Sequence, residues 1–159
     1  MAAAPRILVI GLGNDFRSDD RVGLYVARRV EAAGRPGVGV MIGVADALDL
    51  LDLWNRADFV ILVDCAVSGR EAGTVHRFDA LREPIPEDLF CRYSTHAFSV
   101  VDALALAAAM GQMPPQLIVF GIEADTCAPG TEMSLPVEQA AEHVIGRIWT
   151  EIDAFVETR

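Results

Sequence analysis

The sequence has 159 residues, 52% of them hydrophobic, and a formal net charge of −10. This length fits one domain with a sizeable core, and we predict a single domain over residues 1–159. The acidic excess argues against nucleic-acid binding, which depends on Lys and Arg neutralising phosphates. No run reaches the roughly 18 apolar residues of a membrane span, and the first residues lack the pattern of a secretory signal. We therefore expect a cytoplasmic protein with no membrane partner.

The chain begins with a strand, a polar loop and a helix. Residues 7–10 form an uninterrupted β-branched and apolar run, which predicts a strand buried in a parallel sheet. Gly11 and Gly13 permit a tight turn after it. Asp19 or Asp20 can cap the next helix by accepting hydrogen bonds from its first N–H groups. This arrangement places carboxylates at the end of a strand, where open α/β sheets bind their ligands.

The rest of the chain alternates between strand and helix patterns. We predict further strands at 38–42, 59–63, 74–78 and 117–121, the third of these antiparallel at an edge of the sheet. Predicted helices end near Gly34, cover 45–53, run from a Ser99 cap to Met110, and begin at Ser134. Such alternation predicts an α/β fold: three layers, with a mostly parallel twisted sheet and helices on both faces.

The number and spacing of the cysteines exclude two kinds of stabilising site. Cys65, Cys91 and Cys127 are widely spaced, odd in number and contain no CxxC pair. A disulfide framework and an ordinary structural zinc site are therefore excluded. We expect all three to be reduced, small hydrophobic side chains. Cys65 is a conceivable nucleophile, but its apolar neighbours favour a packing role.

A dinucleotide site is not supported. The third glycine of a GxGxxG motif would fall at Phe16, and the second predicted strand ends at Ile42-Gly43 rather than at an acid that holds a ribose.

Ionisable residues do follow several predicted strands. Asp20, Asp64 and His96 fall at strand ends or in the loops after them, and Glu123 closes the last strand. Two carboxylates and an imidazole make a mixed oxygen and nitrogen site suited to a borderline divalent metal. Taken singly, these residues have simpler interpretations: Asp20 as a helix cap, Asp64 as a turn former and His96 as a loop histidine. The other histidines, His76 and His143, are predicted to be structural or to face solvent.

Several short motifs resemble those of the hydrogenase maturation proteases. The similarity extends in consistent order over roughly residues 6–150. The motifs are Gly-Leu-Gly-Asn at 11–14, Asp-Asp-Arg-Val-Gly at 19–23, Val-Asp-Cys-Ala at 63–66, Ala-Gly-Thr at 72–74, Ser-Thr-His at 94–96 and Val-Phe-Gly-Ile-Glu at 119–123.

The resemblance implies an endopeptidase that removes the C-terminal extension of a nickel-loaded [NiFe]-hydrogenase large-subunit precursor. It implies that Asp20, Asp64 and His96 are both the catalytic and the metal-binding residues, with the nickel supplied by the substrate. The ion would orient the substrate and polarise a carbonyl or a water, which is metal-assisted catalysis. The resemblance leaves open whether the protease is aspartyl-type or metal-assisted. No attacking nucleophile is assigned, and we expect a monomer.

The sequence departs from the family pattern in two places. Residues 41–45 lack the aspartate and threonine of a D-G-G-T-like segment found in some members, so that segment is assigned no role. Ala72 replaces the proline of a PGT motif, which indicates a local loop change.

Two other functions stay open at this point. One is a noncatalytic hydrogenase-maturation chaperone or metal-checking module, which would use the same residues without cleaving its partner. The other is a small-molecule α/β enzyme, which nucleotides rather than nickel would stabilise.

Overall fold

The computed structural model describes residues 6–90 and 99–159. Within these residues, one five-stranded sheet has the order β2-β1-β3-β5-β4. The strands are β1 Ile7–Gly11, β2 Val38–Ile42, β3 Phe59–Ala66, β4 Val75–Asp79 and β5 Leu117–Glu123. All neighbouring strands are parallel except β4, which pairs antiparallel with β5 at the edge of the sheet. The predicted mostly parallel sheet with one antiparallel edge strand is therefore confirmed.

Helices cover both faces of the sheet, which confirms the three-layer α/β fold. A 3-10 turn at Ser18–Arg21 precedes the first helix; the helices are α1 Val22–Ala33, α2 Ala47–Trp54, α3 Val100–Met110 and α4 Leu135–Glu157. Helices α1 and α4 bury their apolar stripes on one sheet face, and α2 and α3 bury theirs on the other. Each face thus has its own apolar core.

The central strands β3 and β5 are longer than predicted. Every residue of both strands is buried, including Asp64 in β3 and Glu123 in β5. The prediction ended the third strand at residue 63 because a carboxylate interrupts the apolar run there. Backbone pairing does not depend on side-chain polarity, so the ladder continues to the pair Ala66 and Glu123. Two carboxylates are thereby drawn into the buried end of the sheet.

Glycine allows α1 to begin against the ends of two strands. A Cβ at Gly23 would lie 2.2 Å from the Leu12 carbonyl oxygen and 2.4 Å from the Val63 carbonyl oxygen. Only a residue without a side chain fits this approach. Helix α1 then ends, as predicted, at Gly34, which adopts the left-handed conformation with φ of 61°.

Helix capping was predicted correctly for α3 and incorrectly for α1. Ser99 and Asp102 form the expected capping box. Neither Asp19 nor Asp20 caps a helix through its side chain, because both lie inside the 3-10 turn that precedes α1. Their carboxylates are therefore available for contacts elsewhere in the molecule.

Candidate active site at the carboxyl edge of the sheet

The order of the strands defines a crevice between β1 and β3. The chain leaves β1 through α1 to reach β2 on one side, whereas the chain after β3 continues to β4 and then through α3 to β5, both on the other side. The connections from these two strands therefore diverge at their carboxyl ends. Open α/β sheets bind ligands at such a topological switch point.

Asp20 and Asp64 both lie at this carboxyl edge. The loop after β1 is fastened to β3 by a 2.9 Å hydrogen bond from Leu12 N–H to the Val63 carbonyl, one residue before Asp64. The same loop is joined to the 3-10 turn by Asn14 N–H, which donates to the Asp20 carbonyl. Asp20 and Asp64 are only 2% and 6% exposed. Burying a carboxylate costs free energy. Two buried carboxylates at the carboxyl ends of the strands therefore mark a candidate binding site.

Asp19 holds the turn that carries Asp20. Its carboxylate is fully buried and accepts hydrogen bonds from the backbone N–H groups of Asp125, Thr126 and Ser134, at 2.7–3.1 Å. The Ser134 hydroxyl donates to the same carboxylate. Asp19 therefore ties the 3-10 turn to the 124–134 loop and to the start of α4. Ser134 begins α4 as predicted, but its side chain bonds Asp19 instead of capping the helix.

An ion pair with α1 also holds the loop after β1 in place. The Asp15 carboxylate accepts two hydrogen bonds from the Arg28 guanidinium of α1, at 2.8 and 2.6 Å. This hydrogen-bonded pairing, with smaller contributions from the charges of Arg28 and Arg21, holds the pKa of Asp15 below its usual value despite partial burial. The pair fixes the loop onto the helix that follows it.

Glu123 lies at the same edge, as the sequence predicted, but its polar contacts are made within the fold. Asp64 is opposite Gly121 and Ala66 is opposite Glu123, so Asp64 and Glu123 share one face of the sheet. The Glu123 carboxylate contacts His76 Nε2 at 2.9 Å and accepts hydrogen bonds from the backbone N–H and the hydroxyl of Ser68. It anchors the loop after β3 and the strand β4 to β5. No spacing in the sequence predicts this cluster, because its members are distant in the chain.

Other sequence expectations agree with the structure. His76 has a structural role in that cluster, and His143 is exposed on α4. Cys65 follows Asp64 in β3, so its side chain lies on the opposite face, in the apolar core beneath α1 and α4. Its position is that of a packed side chain.

His96, the third predicted site residue, lies outside the described residues. Across 6–90 and 99–159, no three His, Cys, Asp or Glu side chains are grouped so that they can hold a metal ion. Asp20 and Asp64 are thus the two predicted site residues that the structure places at one edge. In the same part of the chain, no helix is long and apolar enough to cross a membrane.

Together, the topology and the buried aspartates define an α/β protein with a candidate polar site at the carboxyl ends of its strands. A family model described as hydrogenase maturation protease matches residues 24–151, a segment that includes Asp64 and His96 and begins just after Asp20. The chain belongs to the hydrogenase maturation protease family.

Individual relatives show the same similarity. The chain is 28% identical over 148 residues to the hydrogenase 2 maturation protease of Escherichia coli, covering 90% of this chain and 88% of that protein. It is 30% identical over 129 residues to the hydrogenase expression/formation protein HupD of Thiocapsa roseopersicina. That match covers 77% of this chain but only 56% of HupD, so the chain spans little more than half of that relative's length.

Solved structures share the fold. The hydrogenase maturating endopeptidase HybD from E. coli superposes with a TM-score of 0.74 at 20% identity, covering 94% of this chain and 93% of that one. The [NiFe] hydrogenase maturation protease HybD from Thermococcus kodakarensis superposes with a TM-score of 0.67 at 21% identity, covering 91% and 97%.

Proposed function

We propose that this chain is an endopeptidase that removes the C-terminal extension of a nickel-loaded [NiFe]-hydrogenase large-subunit precursor. In this proposal Asp20, Asp64 and His96 bind the nickel that the precursor carries. Nickel is part of the substrate and is not a resident cofactor of the protein. The observation that carries the proposal is the burial of Asp20 and Asp64 at the switch point of the sheet in a member of this family.

The chemistry of the proposed ligands suits the proposed ion. Carboxylate oxygens and an imidazole nitrogen together bind borderline divalent metals such as nickel. Three protein ligands leave coordination positions for groups of the precursor, so the loaded precursor binds by completing the coordination of its own metal. A precursor without nickel lacks this source of affinity, and the protein therefore distinguishes the two forms.

The proposed role of the three residues is to position the peptide bond. An ion held at the carboxyl edge orients the segment of the precursor that follows its metal-binding residues, and it polarises a nearby carbonyl or water. The hydrogen bonds of Asp19 keep the turn bearing Asp20 in place. Since β3 is buried along its whole length, Asp64 sits on a rigid support.

The test is the mass of a nickel-loaded precursor after incubation with purified variants. We expect the wild type to release the C-terminal extension and the Asp20→Asn and Asp64→Asn variants to leave it attached. Asp52→Asn, the same change at an exposed position of α2, is the matched control and should retain activity. Normal trimming by both site variants would refute the assignment of these residues. Binding of the precursor without any trimming by the wild type would favour the chaperone function instead.

We also propose that the protein acts as a cytoplasmic monomer. A net charge of −10 favours solubility and opposes self-association. Light scattering coupled to gel filtration should give the mass of one chain, near 17.2 kDa. A dimer mass would contradict the monomer.

A further inference from the structure

Two cysteines that are distant in the sequence meet in the fold. The Sγ atoms of Cys65 and Cys127 lie 3.8 Å apart, although 62 residues separate them. Cys65 is fully buried near the end of β3. Cys127 lies in the 124–134 loop after β5 and is half-buried, so it is the member of the pair that small molecules can reach. The separation of the sulfur atoms is that of two thiols in van der Waals contact.

Backbone hydrogen bonds hold Cys127 in this place. Thr126, its neighbour, donates its N–H to the Asp19 carboxylate and accepts from Asp19 N–H through its carbonyl. On the other side, Cys65 is fixed by the pairing of β3 with β5, where it is opposite Ile122. The two thiols therefore face each other because a buried strand and a hydrogen-bonded loop bring them together.

We propose that Cys65 and Cys127 form a reversible intramolecular disulfide, and that the pair is an oxidation site for small-molecule disulfides such as oxidised glutathione. The proposal goes beyond precursor processing and does not depend on it. It also differs from the sequence-based expectation that all three cysteines are reduced. Disulfides in the cytoplasm are rare and are usually transient or redox-sensing, which agrees with a reversible bond.

The reaction has two exchange steps. In the first, the Cys127 sulfur attacks one sulfur of oxidised glutathione, which forms a mixed disulfide and releases one reduced glutathione. In the second, the Cys65 sulfur attacks Cys127 Sγ, forming the Cys65–Cys127 bond and releasing the second reduced glutathione. Oxidised glutathione accepts the two electrons that the pair loses, and each departing glutathione thiol takes up one proton.

Bond formation needs only a small movement. The sulfur atoms must approach from 3.8 Å to about 2 Å. Because β3 is a central buried strand, we expect the loop that carries Cys127 to make this movement. The bond would then join the end of β3 to the 124–134 loop, and it would close a long segment of chain. A cross-link of that kind should raise Tm by about 5–10 °C.

The test is to incubate the folded protein with oxidised glutathione, block the remaining thiols and digest without reduction. Trypsin cuts after arginine, so Cys65, Cys91 and Cys127 fall in separate peptides, 57–70, 83–92 and 93–147. We expect peptides 57–70 and 93–147 to be joined, a mass decrease of about 2 Da for the intact chain, and reversal by dithiothreitol. The same treatment of the protein unfolded in urea should give several different disulfides between peptides, including some that contain peptide 83–92.

Two variants make the assignment specific. Cys91→Ser should keep the link and the rise in Tm, whereas Cys127→Ser should lose both without removing a fully buried side chain. Glutathione adducts without a link, or a native link that involves Cys91, would overturn the proposal. An equal rise in Tm in the oxidised Cys127→Ser variant would also contradict it. None of these measurements uses a hydrogenase precursor, so the result is independent of the proposed protease function.

Discussion

The buried carboxylate of Asp19 accepts hydrogen bonds from both the backbone N–H and the hydroxyl of Ser134, 115 residues further along the chain. The first of these bonds is 2.7 Å long. They connect the 3-10 turn before α1 to the start of α4. Asp19 and Asp20 are adjacent and both buried, yet they differ: the Asp19 carboxylate supports the fold, whereas the proposed function gives Asp20 the role of a metal ligand.

Removing the charge of Asp19 should destabilise the protein. We predict that Asp19→Asn lowers the free energy of unfolding by about 2–4 kcal/mol, since an amide cannot replace a buried carboxylate that accepts several hydrogen bonds. Urea denaturation would measure this change. The exposed control Asp52→Asn should stay within about 0.5 kcal/mol of the wild type. A neutral effect of Asp19→Asn would show that its hydrogen bonds contribute little.

Two glycines should respond to alanine in opposite ways. Gly23→Ala places a Cβ against the Leu12 and Val63 carbonyl oxygens, which cannot move without disturbing β1 and β3. We predict a loss of more than about 3 kcal/mol or a failure to fold. Gly146 lies within α4 with no atom within 4 Å of an added Cβ. Gly146→Ala should therefore stabilise the protein by about 0.5–1 kcal/mol. Thermal unfolding of both variants checks the prediction, and equal effects would contradict it.

The Asp15–Arg28 pair should contribute to stability in a pH-dependent way. Because pairing lowers the pKa of Asp15 in the folded state, its contribution is present above the unfolded pKa of about 4 and is lost as pH falls through the lower folded value. The pair is partly exposed, so Asp15→Asn should cost at most about 1 kcal/mol at pH 7.

Chemical denaturation of the wild type and Asp15→Asn between pH 3 and pH 7 would measure this dependence. The difference between the two proteins should narrow toward the acid end of the range. A difference in stability that widens as the pH falls would contradict the prediction that folding lowers the pKa of Asp15.

The three layers of the fold could be predicted from the sequence because its apolar residues recur at the spacings typical of strands and helices. The valines at 22, 26 and 30, for example, recur at helical spacing, and all three are buried on one face of α1. The end of β3 was misplaced, since the apolar pattern of one strand contains no information on the backbone pairing that brings Asp64 into the sheet. The contacts of Asp19 were missed for a related reason. Its partners follow β5, and only the tertiary fold brings them to the turn.

The candidate site was predicted from the position of its residues at strand ends and from the resemblance to a family. Topology alone was enough to place Asp20 and Asp64 at one carboxyl edge. The contact between Cys65 and Cys127 had no sequence signal, because widely spaced cysteines carry no pairing information. The contact of Glu123 with His76 was equally invisible, since it joins neighbouring strands β5 and β4 across a long intervening segment.

The decisive measurement for the proposed protease is the intact mass of a hydrogenase large-subunit precursor, with and without bound nickel, before and after incubation with this protein. We predict that the nickel-loaded precursor loses its C-terminal extension and that the nickel-free precursor keeps it. Equal trimming of both forms, or an unchanged mass of the loaded precursor, would contradict it.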